Sequence, residues 1–268
     1  KGIKYIHGVE CYLTESLENK VRDNFHTVLL ARNLEGVKEI NALISQSTDD
    51  KHFYYTNRVS FDEFFNLSNN VIKISACLAS PLNQLHLDHP LYERLAKTYD
   101  YFEIQYHDCQ EQKDYNLLLA RLAKKYHKKL IAATDTHSLN AYKAECRKIL
   151  LVYKGKSYGN EDTFDLTYKT RSELEQAFKK QGALPKEVYL DAIEETDRLA
   201  DMIEDFQLDT TPKYPILYGS EEEDNRKFVE CVNYWYQDKL SKGIIPQSQK
   251  AQLDEAIKEE MRVFNKLK

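Results

Sequence analysis

"YDYFEIQYHDCQEQKDYNLLLARLAKKYHKKLIAATDTH", residues 99–137, carries the pattern that decides the fold class. Residues 99–107 are a short run rich in Tyr, Phe and Ile with polar flanks, as a strand requires. Residues 111–127 read as a helix, with Leu118, Leu122 and Ala123 recurring at helical spacing. A second apolar run at 130–137 stops abruptly at Thr134-Asp135-Thr136-His137. Strand, helix and strand in succession predict a parallel pair joined by a right-handed crossover, with the strand C-termini on one face. In a strand, positions i and i+2 share a side, so Asp135 and His137 are expected to project together. By the same rule Glu103, Gln105 and His107 share a face. An Asp-x-His strand end suits a divalent metal, and it suits a hydrogen-bonded loop equally well.

Outward from this unit the alternation continues. Residues 3–13, 25–31 and 70–78 are strand-like, while 35–47 and 89–99 are amphipathic runs, so an α/β fold with a parallel sheet is expected. From about residue 160 the pattern becomes helical. Residues 170–182 have Thr170 or Ser172 as cap and Gly182 as stop. Residues 184–204 carry Pro185 near the first turn and a stripe of Val188, Ile193, Leu199 and Ile203. Residues 209–219, with Pro212, Pro215 and Gly219, read as a linker, followed by charge-rich helices at 221–241 and 248–268.

With 268 residues, 42% hydrophobic and 30% charged, the chain can form a domain of about 200 residues plus a smaller appendage. A net charge of -5 argues against a broadly basic nucleic-acid-binding surface. The cluster Lys124-Lys125-Tyr126-His127-Lys128-Lys129 reads as the solvated end of a helix, where cations complement the dipole. No run approaches the about 18 apolar residues of a membrane span, and no leader pattern opens the chain. The five cysteines are odd in number and lack a CxxC pair, which fits a reducing cytoplasm and excludes a four-cysteine zinc ribbon. The opening Lys1-Gly2, without an initiator Met, leads us to expect a piece of something longer.

Every strand-like segment carries a potential ligand: Glu10, His26, Cys77, then Glu103 and His107, then Asp135 and His137. Imidazole, thiolate and carboxylate together suit Zn, Mn or Fe and not Ca. Such a cluster can activate water and clamp a phosphate. Each residue also has a plainer reading. A single Glu or His at a strand end is more often a satisfied polar group, and Cys77 alone is more often a small buried apolar residue. His86, Asp88 and His89, just before Pro90, read as loop chemistry.

Taken in order, "GVECYLT", "FHTVLLARNLEGVKEINALIS", "VIKISACLAS", "YFEIQYH" and "AATDTHSL" resemble the PHP (polymerase and histidinol phosphatase) domain. The resemblance is to the version found in α subunits of bacterial or phage DNA polymerase III, the C-family replicative polymerases. "HTVLLARNLEG" matches that subgroup's His-x-x-Leu-Leu-Ala-(Lys/Arg)-Asn-x-x-Gly. Downstream, "LTYKTRSELEQAF", "AIEETDRLADMIE", "PKYPIL" and "QLDEAIKEEMRVFNKLK" are similar to the region beyond the PHP core in the same subunit, so the resemblance covers essentially the whole chain.

The resemblance implies a distorted (β/α)7 PHP barrel over 1–205 and a linker with helices leading toward the polymerase palm and thumb over 206–268. It implies metal ligands at Glu10, His26, Cys77, Asp135 and His137, with Glu103 and His107 beside them or against substrate. It also implies a divalent cofactor (Zn, Mn or Fe), metal-dependent phosphoester hydrolysis or 3′–5′ exonuclease activity, and DNA and replisome subunits as partners. Two family segments, a strand with His-x-His and one ending Thr-Asp-His-Gly, are not in the sequence. The barrel is therefore expected to lack its first strands and part of its ligand set, to be inactive as it stands, and to self-associate through an open edge. The Gly-rich stretch and palm carboxylates that perform nucleotide addition are absent too. A free-standing phosphatase for small phosphate esters, or a non-catalytic scaffold, are the alternatives.

Overall fold

The stretch Phe25–Ala31 forms strand β2 with the alternation its sequence calls for: Phe25, Thr27, Leu29 and Ala31 are buried, and the residues between them are less so. In the computed structural model, residues 3–157, 164–213 and 215–266 are described. Tyr214 of the expected linker and the last two residues of the expected helix 248–268 lie outside them. The chain divides into two compact units, Lys1–Leu208 and Asp209–Lys268.

In the first unit, β1 (Gly8–Thr14), β2, β3 (Val59–Ser60), β4 (Val71–Ile74), β5 (Tyr101–Ile104) and β6 (Lys129–Ala132) make one sheet in the order β3-β1-β2-β4-β5-β6. The expected all-parallel sheet is corrected at β2, which runs antiparallel to both β1 and β4. The β1–β3, β4–β5 and β5–β6 pairs are parallel. A parallel partner needs a crossover of about a dozen residues or more, usually helical, and the 15–24 connection holds no helix. The described strands leave β3 and β6 as the ends of the order, a mixed α/β sheet and not a demonstrated (β/α)7 barrel.

Helices α1 (Leu34–Gln46), α4 (Tyr92–Thr98) and α5 (Gln110–Tyr126) contribute Ile40, Leu95 and Leu119 to a core shared with Leu13, Leu29 and Phe102 of the sheet. In α5 the expected Leu122 and Ala123 are buried in the core together with Tyr115 and Leu119, while Leu118, also expected on the stripe, is only partly buried. Lys124 and Lys125 lie in the last turn of α5 and His127 closes it in the left-handed region. Short helices α2 (Phe61–Phe65) and α3 (Pro81–Gln84) were not expected, nor was α6 (Ala141–Tyr153), which has no buried residue. Helix α7 (Arg171–Gln181) starts in a capping box of Thr170 with Glu173 and ends at Gly182, φ +69°. Helix α8 (Lys186–Met202) covers a second apolar cluster, in which Leu199 and Ile203 meet Ile72, Ile74, Tyr101 and Ile131.

The second unit pairs α9 (Glu221–Ser241) with α10 (Lys250–Lys266). Phe228 stacks on Phe264 at 4.7 Å, and Tyr236 Oη donates to Asp254 Oδ1 at 2.5 Å. No residue of either helix is buried, as expected of a two-helix hairpin too small to enclose a core. Among the described residues no helix is long and apolar enough to cross a membrane.

One buried imidazole sets a pH dependence. His52, 3% exposed, places Nδ1 at 2.7 Å from Asp49 Oδ1 and Nε2 at 2.7 Å from Glu63 Oε1. Carboxylates only accept, so both ring nitrogens donate and the ring is an imidazolium. Burial opposes that charge, but hydrogen bonds to Glu63 and Asp49 outweigh it and raise the pKa above 6.5. A raised folded-state value gives stability that is complete below the unfolded pKa and lost as pH rises through the folded one. The melting temperature is therefore expected to fall as pH rises above about 6.5 and through the raised folded-state pKa, with a shallower fall in His52→Gln. Identical profiles for the two proteins by differential scanning calorimetry would rule this out.

Candidate functional site

The reversal of β2 decides where His26 sits. Tyr12 of β1 pairs with His26, so the start of β2 lies beside the end of β1. The His26 amide donates to the carbonyl of Ala79 at 2.9 Å, which ties it to the loop after β4. Cys77 enters that loop through Ala76, whose φ of +59° turns the chain sharply off the strand. His26 Nδ1 then lies 2.6 Å from Glu10 Oε1 and 3.5 Å from Cys77 Sγ.

Asp135 and His137 also come together, but by a different route from the one expected. Strand β6 ends at Ala132, and Asp135 takes a left-handed conformation, φ +45°. Strand periodicity therefore does not govern this pair. The turn brings His137 Nε2 to 3.2 Å from Asp135 Oδ1, while the His137 amide donates to the Leu166 carbonyl at 2.9 Å. Two strained non-glycine residues, Ala76 after β4 and Asp135 after β6, mark a site where local geometry is imposed by the surroundings.

Glu103, Gln105 and His107 are all buried, and Gln105 Nε2 donates to Glu103 Oε1 at 2.7 Å. Burial raises the Glu103 carboxyl to about 7, against the Gln105 hydrogen bond, with Asp135 and Glu10 adding to the rise. Burial likewise pushes the Cys77 thiol up to about 12 and the His107 imidazole down to about 4. The hydrogen bond to His26 holds Glu10 below the usual carboxylate range, and the charge of His137 contributes. The field of Asp135 reaches Cys77, Glu103 and His107, so the two donor groups, Glu10–His26–Cys77 and Asp135–His137, share one end of the sheet.

Sharing an end is not the same as closing a coordination shell. Among the described residues no three His, Cys, Asp or Glu side chains are arranged to hold a metal ion. The Glu10 carboxylate is engaged by His26 and that of Asp135 by His137, so a metal ion would have to displace these contacts to take these side chains as ligands. His86 and His89 behave as loop residues. His86 Nδ1 meets Asp88 Oδ1 at 2.5 Å on the surface, and His89 Nδ1 accepts from the Leu91 amide at 3.2 Å. The contacts of Phe164 and Asp165 with the His107 region carried no signal in the sequence, because they join segments far apart along the chain.

The PHP domain family model matches residues 1–107. The DNA polymerase III PolC-type protein of Thermotoga maritima is 29% identical over 227 residues, covering 78% of this chain and 16% of that protein. The DNA polymerase III subunit alpha of Aquifex aeolicus is 26% identical over 246 residues, covering 81% and 21%. That of Borreliella burgdorferi is 27% identical over 228 residues, covering 77% and 19%. The chain thus spans about a fifth of the length of these relatives. Residues 1–107 thus match the PHP domain family, in a chain similar over about four fifths of its length to DNA polymerase III PolC-type and α-subunit proteins.

Proposed function

We propose that the chain serves DNA replication as the PHP region of a C-family DNA polymerase III subunit, with 1–205 as the PHP-like domain and 206–268 as the connector toward the polymerase parts. The observation that supports this reading is that similarity to polymerase III proteins runs well beyond residue 107, into segments a small phosphatase does not need. DNA and replisome subunits in the cytoplasm are its partners in this proposal, and polymerisation belongs to the parent protein.

Glu10, His26, Cys77, Asp135 and His137 are the residues a divalent Zn, Mn or Fe ion would draw on. By itself the chain acts as a scaffold and does not hydrolyse phosphodiesters in this reading, which is supported by the imidazole partners of Glu10 and Asp135 and by the lack, among the described residues, of three donors arranged to hold a metal. With Mn, Zn or Fe added, single-stranded DNA is expected to stay intact. Metal-dependent degradation lost in Asp135→Ala and His137→Ala would overturn the scaffold reading. Turnover of a small phosphomonoester would instead favour a free-standing phosphatase.

A further inference from the structure

The N-terminal end of α5 opens on a cleft of about 340 Å³ lined by His107, Asp108, Cys109, Phe164, Lys169 and Lys180, among others. Cys109 occupies the cap position of this 17-residue helix and supplies no side-chain hydrogen bond to its first turn. Helix starts carry unsatisfied amides and a partial positive charge, which favour anions. A helix start alone makes no site, but a second group points the same way. His107 is only 3% exposed and its Nε2 is buried without a partner. Such an atom calls for a hydrogen-bonding ligand.

The surroundings hold that imidazole in place. Phe164 stacks on it at 4.3 Å with an interplanar angle of 12°, and the His107 carbonyl accepts from Gln181 Nε2 at 2.8 Å. The carboxylates at the cleft are already matched. Asp108 pairs with Lys113 at 2.7 Å and Asp165 with Lys169 at 2.7 Å. Lys180 adds an exposed cation near the end of α7, with no ion pair among the described residues. The wall is thus a set of donors and one surplus positive charge.

We propose that this cleft is a phosphate-binding pocket, in which His107 Nε2–H, the first-turn amides of α5 and the Lys180 ammonium donate to the phosphate oxygens. A phosphate group carries the acceptors that each of these donors needs, and charge-assisted bonds to it are the strong kind. The pocket does not depend on the strand ends taking a metal, so it stands or falls separately from the scaffold reading. The phosphate can be free orthophosphate or part of a nucleic acid strand.

The test is titration of the intact chain with inorganic phosphate, and separately with a 5′-phosphorylated dinucleotide, followed by ¹⁵N–¹H NMR. Saturable shifts are expected at Gln110, Glu111 and Gln112. Binding should be at least about tenfold weaker in Lys180→Glu and in His107→Phe. His107 is buried, so that variant counts only if its spectrum is otherwise native; Lys180 is exposed and keeps the test decisive. Tighter binding of the dinucleotide identifies a nucleic acid strand, and equal or weaker binding identifies free phosphate. No saturable shift up to about 20 mM ligand, or shifts untouched by Lys180→Glu, overturns the proposal.

Discussion

Gly36→Ala is expected to destabilise the first unit by about 3 kcal/mol, although alanine is the better helix former. A Cβ at this position would lie 2.2 Å from the Asn70 carbonyl oxygen, 3.0 Å from its carbon and 3.2 Å from the Ala31 Cα. All three are backbone atoms and cannot swing aside as a flexible side chain would. The Asn70 carbonyl is also committed, since it accepts from the Arg32 amide at 2.8 Å. The Asn70 side chain accepts from Asn33 Nδ2 at 3.0 Å, and Asn33 Oδ1 accepts from the Gly36 amide at 3.1 Å. Relieving the clash therefore disturbs the cap of α1 and its seat on the sheet together. The helix-propensity gain of about 1 kcal/mol is smaller than the overpacking cost, so the net sign is a loss. Urea unfolding reads it directly: a midpoint equal to or above that of the unsubstituted protein would refute the close approach.

Arg58→Leu is expected to cost about 3 to 4 kcal/mol, seen as a fall of about 10 °C in melting temperature. Arg58 is 1% exposed, and its guanidinium donates to the carbonyls of His52 (Nε, 2.8 Å), Asn19 (Nη1, 3.1 Å) and Leu17 (Nη2, 3.3 Å). It pins the 15–24 connection to the segment that carries His52. Leucine keeps the apolar contacts of the stem but leaves three carbonyls without their donor. Arg58→Lys retains the charge yet cannot reproduce a planar fork with donors to three carbonyls, so it is expected to recover only part of the loss. Hydrogen exchange supplies the local readout, with amides of the 15–24 segment losing protection in both variants. An Arg58→Leu protein that melts at the normal temperature would show that these bonds contribute little.

Gly36 and Arg58 also show what could be read from residues and what could not. Gly36 stands in "HTVLLARNLEG", where Leu29 and Ala31 are buried, Asn33 caps α1 and the glycine admits the Asn70 carbonyl. The motif is thus a physical unit, and the resemblance built on it was legible because most of its terms are local. Arg58 gave no signal, because its three partners are met only after folding. Among the site residues, Glu10, His26, Cys77, Asp135 and His137 were picked out by type and position near strand ends. The pairing of Asp135 with His137 was legible, although a turn and not strand periodicity makes it; the grouping of Glu10, His26 and Cys77 was not.

By itself the sequence determined what short-range chemistry controls. The capping box at Thr170, the stop at Gly182, the alternation of β2 and the helical periods of α1, α5 and α8 depend on hydrogen bonds and burial within a few residues. Only the tertiary structure decided the direction of β2, the turn at Asp135 and the pairing of His107 with Phe164. Those depend on contacts between distant segments, where the free energy of closing the sheet overrides the pattern that any one strand or loop carries.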